Sequence, residues 1–287
     1  MFCTFDCIND QQVSEVLLNT AFDYLKNKKV EKVIGPVNFS TNDPSGLLVD
    51  GFDKPPQIMM TYNKPYYSQL LEKYGFIKRM DLFAYWFSVH TIPERIISLA
   101  KNIEERLKRN NITIRTINLK DYKNEVKNLK EIYNQAWDKN WGFVPMTDKE
   151  FDYVAKDMKL MMDKDFALVA EKEGKPIGFT LTMPNINEVL INVKKGRLFP
   201  TGIFKLLFGK SKIKSLRVLT LGVLEQYRTL GIEVCFYTRL QKKAIEKGYI
   251  GGEASWILED NEMMNRELRN IKSEVYKTYR LYEKTLE

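Results

Sequence analysis

The sequence predicts an α/β fold of the α+β mixed-sheet kind, preceded by a smaller, partial copy of the same plan. Three observations carry this. From residue 112 on, short apolar runs alternate with amphipathic stretches of helical spacing, in the order strand, two helices, three strands, helix, strand, helix, strand. Glu173, Gly174 and Lys175 join two of the strands as a tight hairpin turn. Residues 67–87 and 265–283 share a helix, a basic-aromatic turn and an aromatic strand, a weak internal repeat that divides the chain into 1–90, a connector 91–111, and 112–287.

Residues 2–8 form an apolar strand candidate. Asp10 is placed to cap a helix running through Val13, Val16, Leu17, Ala21, Tyr24 and Leu25. Residues 30–37 read as a strand, and 38–56, with Asn42, Asp43, Pro44, Ser45 and Gly46, as an ordered irregular loop. A short helix over 66–74 stops at Gly75, and the aromatic-rich 76–89 suits one or two strands. Pro93 opens the connecting helix, 94–110. In the larger part, 112–119 is a strand, Asp121 caps a helix to about Asn140, and Thr147 caps another to about Asp163. Residues 166–172 and 176–183 are the hairpin arms. After a basic segment broken by Gly196, Pro200 and Gly202 come a strand 216–223, a helix 229–247, a strand 251–258, a short helix 263–270, and a last strand or hairpin arm 275–286.

The 287 residues, 44% hydrophobic and 12% aromatic, can build a substantial core. No window approaches the roughly 20 apolar residues of a membrane span. The first residues, with Asp6 and Asp10, lack the pattern of a signal peptide, so the expected location is cytoplasmic. Cys3, Cys7 and Cys235, with His90 alone, make neither a disulfide framework nor a usual zinc site, and no metal is expected. The formal net charge of +8 is concentrated in one segment. Between Glu188 and Glu225 there is no acidic residue, while Lys194, Lys195, Arg197, Lys205, Lys210, Lys212, Lys214 and Arg217 are basic. A general basic coat suited to nucleic acid is therefore absent. Within 193–217 those charges mix with Leu198, Phe199, Ile203, Phe204, Leu206, Leu207 and Phe208. The favoured reading is a substrate-covering insertion whose apolar face packs on the domain, ahead of contact with a membrane surface or nucleic acid.

The most informative stretch is 219–236, LTLGVLEQYRTLGIEVCF, a strand running through a short loop into a helix. A helix start presents unpaired amides and the positive end of its dipole, which suits a pyrophosphate. Gly231 allows close backbone approach, and Arg228 either pairs with phosphate or braces the loop. An ordinary strand-to-helix connection is the plain alternative.

Leu221, Val223, Tyr227, Arg228 and Gly231, in this order of elements, resemble the cofactor signature of the GNAT (GCN5-related N-acetyltransferase) superfamily over about residues 112–286. The sequence departs from it at Glu225, where proline is usual, at Thr229, where glycine is frequent, and at Glu233, which must project away from a pyrophosphate it would otherwise repel. The resemblance implies an acyl-CoA N-acyltransferase fold with acetyl-CoA or another acyl-CoA as donor. Leu221, Gly222 and Val223 would hold the pantetheine arm, and Arg228, Thr229, Leu230, Gly231, Ile232 and Glu233 the pyrophosphate. Asn261 would bond the cofactor or cap its helix. A backbone amide near Val223 would stabilise the oxyanion as an amine attacks directly. Many relatives supply a tyrosine acid from the helix after the next strand; here none occurs before Tyr276. Glu225, Glu253 and Glu259 are candidate bases, and Cys235 is read as core.

The first part lacks such a loop, since 9–18 reads NDQQVSEVLL, so one cofactor site is expected. The first part would wall the acceptor cleft, with Tyr62, Tyr66, Tyr67 and Trp86 as lining candidates. The expected activity is acyl transfer, from acetyl-CoA by preference, to a small amine. Aminoacyl or acyl transferases of another donor class, and a degenerate CoA-binding or scaffold protein, are the alternatives. A monomer is compatible with the sequence.

Overall fold

The computed structural model describes residues 1–38, 43–138, 140–193, 196–197, 199 and 202–286. Asn42, Lys194, Lys195, Leu198 and Pro200 lie outside them. The elements are α1 (Gln11–Asn27), β1 (Lys32–Gly35), β2 (Leu47–Asp50), α2 (Tyr67–Lys73), β3 (Ile77–Ser88), α3 (Glu94–Arg109), β4 (Ile112–Thr116), α4 (Tyr122–Ala136), α5 (Asp148–Met161), β5 (Ala167–Lys172), β6 (Lys175–Pro184), α6 (Asn187–Leu190), α7 (Gly202–Gly209), β7 (Ser215–Val223), α8 (Ile232–Glu246), β8 (Gly251–Leu258), α9 (Glu262–Asn270) and β9 (Glu274–Thr285).

One sheet runs through the whole molecule in the order β1-β9-β3-β8-β7-β6-β5-β4, with β2 also on β9. Every pairing is antiparallel except β7 with β8. Strand β3, from the first part of the chain, is hydrogen-bonded on one edge to β8 and on the other to β9. Alternation along β5 shows the layering. Leu168 and Ala170 pack with Ile103 and Leu107 of α3 and Ile232, Phe236 and Leu240 of α8, whereas Val169 packs with Ile132 of α4.

Local chemistry accounts for the element ends, including those that differ from expectation. Asp10 accepts from Gln12 N (2.8 Å) and Val13 N (3.2 Å), and the buried Ser14, Leu18 and Phe22 mark the inward stripe of α1. Residues 2–8 form no strand. Only Phe2 reaches β1, giving N–H to Ile34 O (2.9 Å) and accepting from Val37 N (2.8 Å), while Phe5 turns into an apolar cluster with Leu18 and Phe22. The loop expected over 38–56 contains β2, because the buried Leu47 and Leu48 can add to the edge of β9.

Asp121 makes no side-chain cap. A 3-10 turn capped by Asn118, which accepts from Lys120 N (3.1 Å), leads into α4. Helix α4 stops at Ala136 rather than near Asn140. Thr147 and Glu150 form a reciprocal capping box for α5. Glu173 (φ 52°) and Gly174 (φ 79°) are both left-handed, as a tight hairpin demands. Helix α8 starts at Ile232, not Thr229. Gly231 has φ 79°, a conformation that cannot continue a right-handed helix, and 225–230 form a 3-10 turn before it. Among the described residues no helix is long and apolar enough to cross a membrane.

Candidate active site

The parallel pair β7 and β8 is in register only from Ser215 opposite Gly251 to Val218 opposite Ala254. Beyond that the strands part, while β7 keeps its partner β6 as far as Val223 opposite Gly178. The edge of β7 from Leu219 to Val223 thus faces a V-shaped gap whose other arm is the end of β8. A bulge of β7 at Leu219, opposite Leu181 and Thr182 of β6, accompanies the parting. The gap is where Leu221, Gly222 and Val223 stand.

At the mouth of the gap, Arg228 gives Nε to Val223 O (3.1 Å) and Nη2 to Ala136 O (2.9 Å), tying the end of β7 to the end of α4. Its guanidinium therefore braces the loop. Arg106 of α3 binds Leu230 O (3.0 Å), and the Lys172 ammonium lies 5.7 Å from the Tyr227 ring centre, so three cations surround this loop. Thr229 is exposed and Ile232 fully buried. The first intrahelical bond of α8 runs from Cys235 N to Gly231 O (3.4 Å), and of the amides before it that of Glu233 already donates to the Glu233 carboxyl.

Glu233 turns toward α9. Burial, reinforced by Glu267, pushes its carboxyl up to about 7 against the pull of Arg228. One turn on, Tyr237 OH donates to Met264 Sδ of α9 (3.8 Å). Tyr237 also borders a small void of about 30 Å³ with Val218 and Ala254, the last pair before the strands part. The Tyr237 phenol is buried beside that void, and burial holds it well above the usual tyrosine range, so it keeps its proton. No sequence signal marked it, since the expected tyrosine belonged to the following helix. Asn261 in that position accepts from Met264 N (3.1 Å) as the cap of α9.

On the opposite face of the sheet, α4 and α5 cover a cavity of about 340 Å³ over β5 to β8. Its walls are apolar, with Tyr133, Trp137, Phe151, Met158, Phe179 and Trp256 prominent. Trp137 lies on Gly222 of β7, where a Cβ would come within 2.4 Å of the indole. The floor is polar. Thr180 and Thr220 Oγ1 and Trp256 Nε1 are buried with no hydrogen-bond partner among the described residues, and all three residues line the cavity. Thr220 and Trp256 belong to the two parted arms. These unpartnered polar groups add hydrogen-bonding capacity to a lining that is otherwise largely apolar.

Beside them lies a buried ionic group. Arg217, 4% exposed, donates to Ile58 O (2.6 Å) and Ser255 Oγ (3.1 Å) and stands 3.6 Å from Glu253. Glu253 is fully buried and accepts from Ser255 Oγ (2.7 Å) and Tyr276 OH. Burial lowers the Arg217 guanidinium, with the Glu253 charge opposing, and burial raises the Tyr276 phenol. Arg217 and Ser255 reach the cavity surface. The other candidate carboxylates stand apart. Glu225 is exposed after β7, and Glu259, after β8, accepts from Asp81 N (3.0 Å) and Lys78 Nζ (2.6 Å). Burial pushes the Cys235 thiol up to about 12, which removes it as a nucleophile.

The first part of the chain does wall this cavity, but through Asp43, Pro44, Ser45 and Met59. Tyr66 and Tyr67 pack in the separate cluster around α1, Tyr62 is 54% exposed, and Trp86 meets Tyr276 on the sheet. Fully buried Lys277 anchors the wall by donating to Gly51 O and Lys54 O, 2.6 Å each. Among the described residues no group of three or more His, Cys, Asp or Glu is placed to hold a metal.

No family model matches the sequence. The chain is 37% identical to Protein YghO of Escherichia coli over 291 residues, covering 99% of this chain and 74% of that protein. It is 36% identical to the bacterial ceramide synthase of Caulobacter vibrioides over 285 residues, covering 97% and 73%. Among solved structures, a GCN5-related N-acetyltransferase from Sphaerobacter thermophilus matches with a TM-score of 0.55 and 13% identity, covering 94% of this chain and 67% of that one. The architecture is that of the GNAT fold.

Proposed function

The chain belongs to the family of Protein YghO and the bacterial ceramide synthase, and from that premise we propose that it is an acyl-CoA-dependent N-acyltransferase whose acceptor amine carries a long apolar chain. The carrying observation is the cavity of about 340 Å³, apolar along its walls and ending on unpartnered polar groups at the parted strands. A small amine, the simplest expectation from the sequence, would leave those aromatic and methionine walls without a ligand surface to cover. A long-chain amino alcohol, of the kind that N-acylation turns into a ceramide, matches both ends.

In this reading the acyl-CoA phosphates lie on the start of α8, the pantetheine arm follows the free edge of Leu221 to Val223, and the thioester enters the V. The amine, held near Thr180, Thr220 and Trp256, attacks the carbonyl carbon from the cavity side. The N–C bond forms as the C–S bond breaks. The proton shed by nitrogen passes through Ser255 Oγ to Glu253, and Tyr237 gives its proton to the departing thiolate; Glu253 then releases a proton to solvent as Tyr237 regains one. The developing oxyanion is met by a backbone amide of the β7 edge near Val223.

The test is thiol release from acetyl-CoA and palmitoyl-CoA with sphinganine, or with serinol, which has the same head group and no chain. Sphinganine is expected to drive release at least about tenfold better than serinol at equal concentration, the margin a few buried methylenes supply. Equal rates would remove the lipid-amine reading. No release with any pair, together with no calorimetric CoA binding at millimolar ligand, would remove the transferase.

A further inference from the structure

Helix α7 carries an apolar face that nothing among the described residues covers. Phe204, Leu207 and Phe208 are 58%, 59% and 74% exposed, and Phe199 before them is 75% exposed. Single exposed apolar residues are ordinary, but three on one eight-residue helix form a patch. The sequence reading expected this apolar set to pack on the domain; only part of it does. Leu206 faces inward, onto the cluster of Ile58, Met183 and Ile186.

Two further observations identify what meets the outer face. First, Arg197, Lys205, Lys210 and Lys212 are exposed around it, and no acidic residue lies between Glu188 and Glu225. Second, Met162, Leu181 and Leu219, which pack on the same cluster as Leu206, also line the large cavity. Thus the inner side of α7 shares one apolar cluster with the cavity wall.

We propose that this face docks the protein on an anionic lipid bilayer, with Phe204, Leu207 and Phe208 entering the boundary between headgroups and acyl chains and the flanking cations meeting lipid phosphates. The geometry is that of an amphipathic helix lying in the interface, in which apolar burial and attraction to anionic lipid add. A protein partner would meet the apolar residues through a complementary surface, whereas lipid satisfies both the aromatic patch and a one-sign rim with no shape requirement. The inference stands independently of the acyl-transfer reading, because binding is measured without turnover.

The experiment is cosedimentation of the full chain with vesicles of phosphatidylcholine, or of phosphatidylcholine and phosphatidylglycerol in equal parts. Binding is expected on the anionic vesicles, weakening in 0.5 M NaCl. Lys210→Gln with Lys212→Gln should weaken it about fivefold for each charge removed. Phe204→Ser, Leu207→Ser and Phe208→Ser together should reduce it at least about tenfold while leaving the melting temperature unchanged, since all three face outward. Phe208→Trp supplies a second readout, an emission shift to the blue on vesicle addition. Wild-type protein remaining in the supernatant, or a triple variant that sediments equally, would overturn the proposal. So would a wild-type dimer in lipid-free solution that the triple variant turns into a monomer, since a second copy would then cover the face.

Discussion

Replacing Glu233 by Gln isolates one buried carboxyl whose ionisation works against the fold. The side chain sits in the first turn of α8, where the helix end would ordinarily favour a charge by a few tenths of a kcal/mol. Burial outweighs that, Glu267 adds to it, and Arg228 only partly offsets it, so the carboxyl titrates at about 7 rather than 4.5. Below the ordinary value the group is protonated in folded and unfolded chains alike and contributes no slope. Between 4.5 and 7 the folded chain holds a proton that the unfolded chain has lost, so stability falls as pH rises. Above 7 the cost is complete. At 1.36 kcal/mol for each pH unit, the interval amounts to about 3 kcal/mol as an upper value. Urea unfolding of wild type and Glu233→Gln at pH 4.5, 6, 7 and 8 measures it. The variant's advantage is expected to grow across the series and level off above pH 7, with the other carboxyls cancelling in the difference. A difference constant with pH would refute the assignment of a buried carboxyl here. Calorimetric CoA titrations should follow the same trend, wild-type affinity falling relative to the variant between pH 6 and 8 as the charge appears beside the helix end.

Three other changes probe the site. Tyr237→Phe should lower kcat about 100-fold with KM little changed, the range for loss of a positioned acid; an unaltered kcat would return proton delivery to water. Arg217→Met strands the Glu253 charge and should cost about 3–5 kcal/mol in urea unfolding, while Arg217→Met combined with Glu253→Gln recovers part of that loss; additive effects would mean that the two side chains do not act as a pair. Gly222→Ala drives a methyl into Trp137 and should cost about 1–3 kcal/mol with a shifted indole emission, and an unchanged spectrum and midpoint would show that Trp137 does not lie on the strand.

Much of the architecture was legible because it is written locally. Thr147 and Glu150 spell out a capping box, Glu173 and Gly174 a hairpin turn, and the apolar 216–223 a strand within one residue of β7. Residues 2–8 misled because apolar alternation looks the same whether a segment pairs along its length or only at Phe2. The helix expected over 229–247 begins three residues too early, because only the left-handed Gly231 shows that the helix must start afresh. The site was legible to a smaller extent. The loop motif gave the place of the gap, but the Arg217 to Tyr276 network joins β7, β8, β9 and the strap at Ile58, four segments that no spacing rule connects.

The two departures that most weakened the sequence motif take on a physical sense once the helices are packed. A glutamate in the first turn of α8 would repel a pyrophosphate if solvated and ionised, but this one faces α9, burial brings its titration to about 7, and it is substantially protonated at neutral pH. In place of the missing tyrosine of the following helix, the proposed acid is Tyr237 of α8, whose hydroxyl lies on Met264. Proton delivery to a thiolate requires a donor at the crotch of the V, not on a particular element. Val218 and Ala254 fix that crotch, and the same void bordered by both is bordered by Tyr237. In the proposed reading the acid comes from a different element than the linear pattern supplies, and the decisive comparison is the kcat of Tyr237→Phe against that of Glu253→Gln. If only the first falls, proton delivery to sulfur limits the reaction. If only the second falls, deprotonation of the amine through Ser255 does.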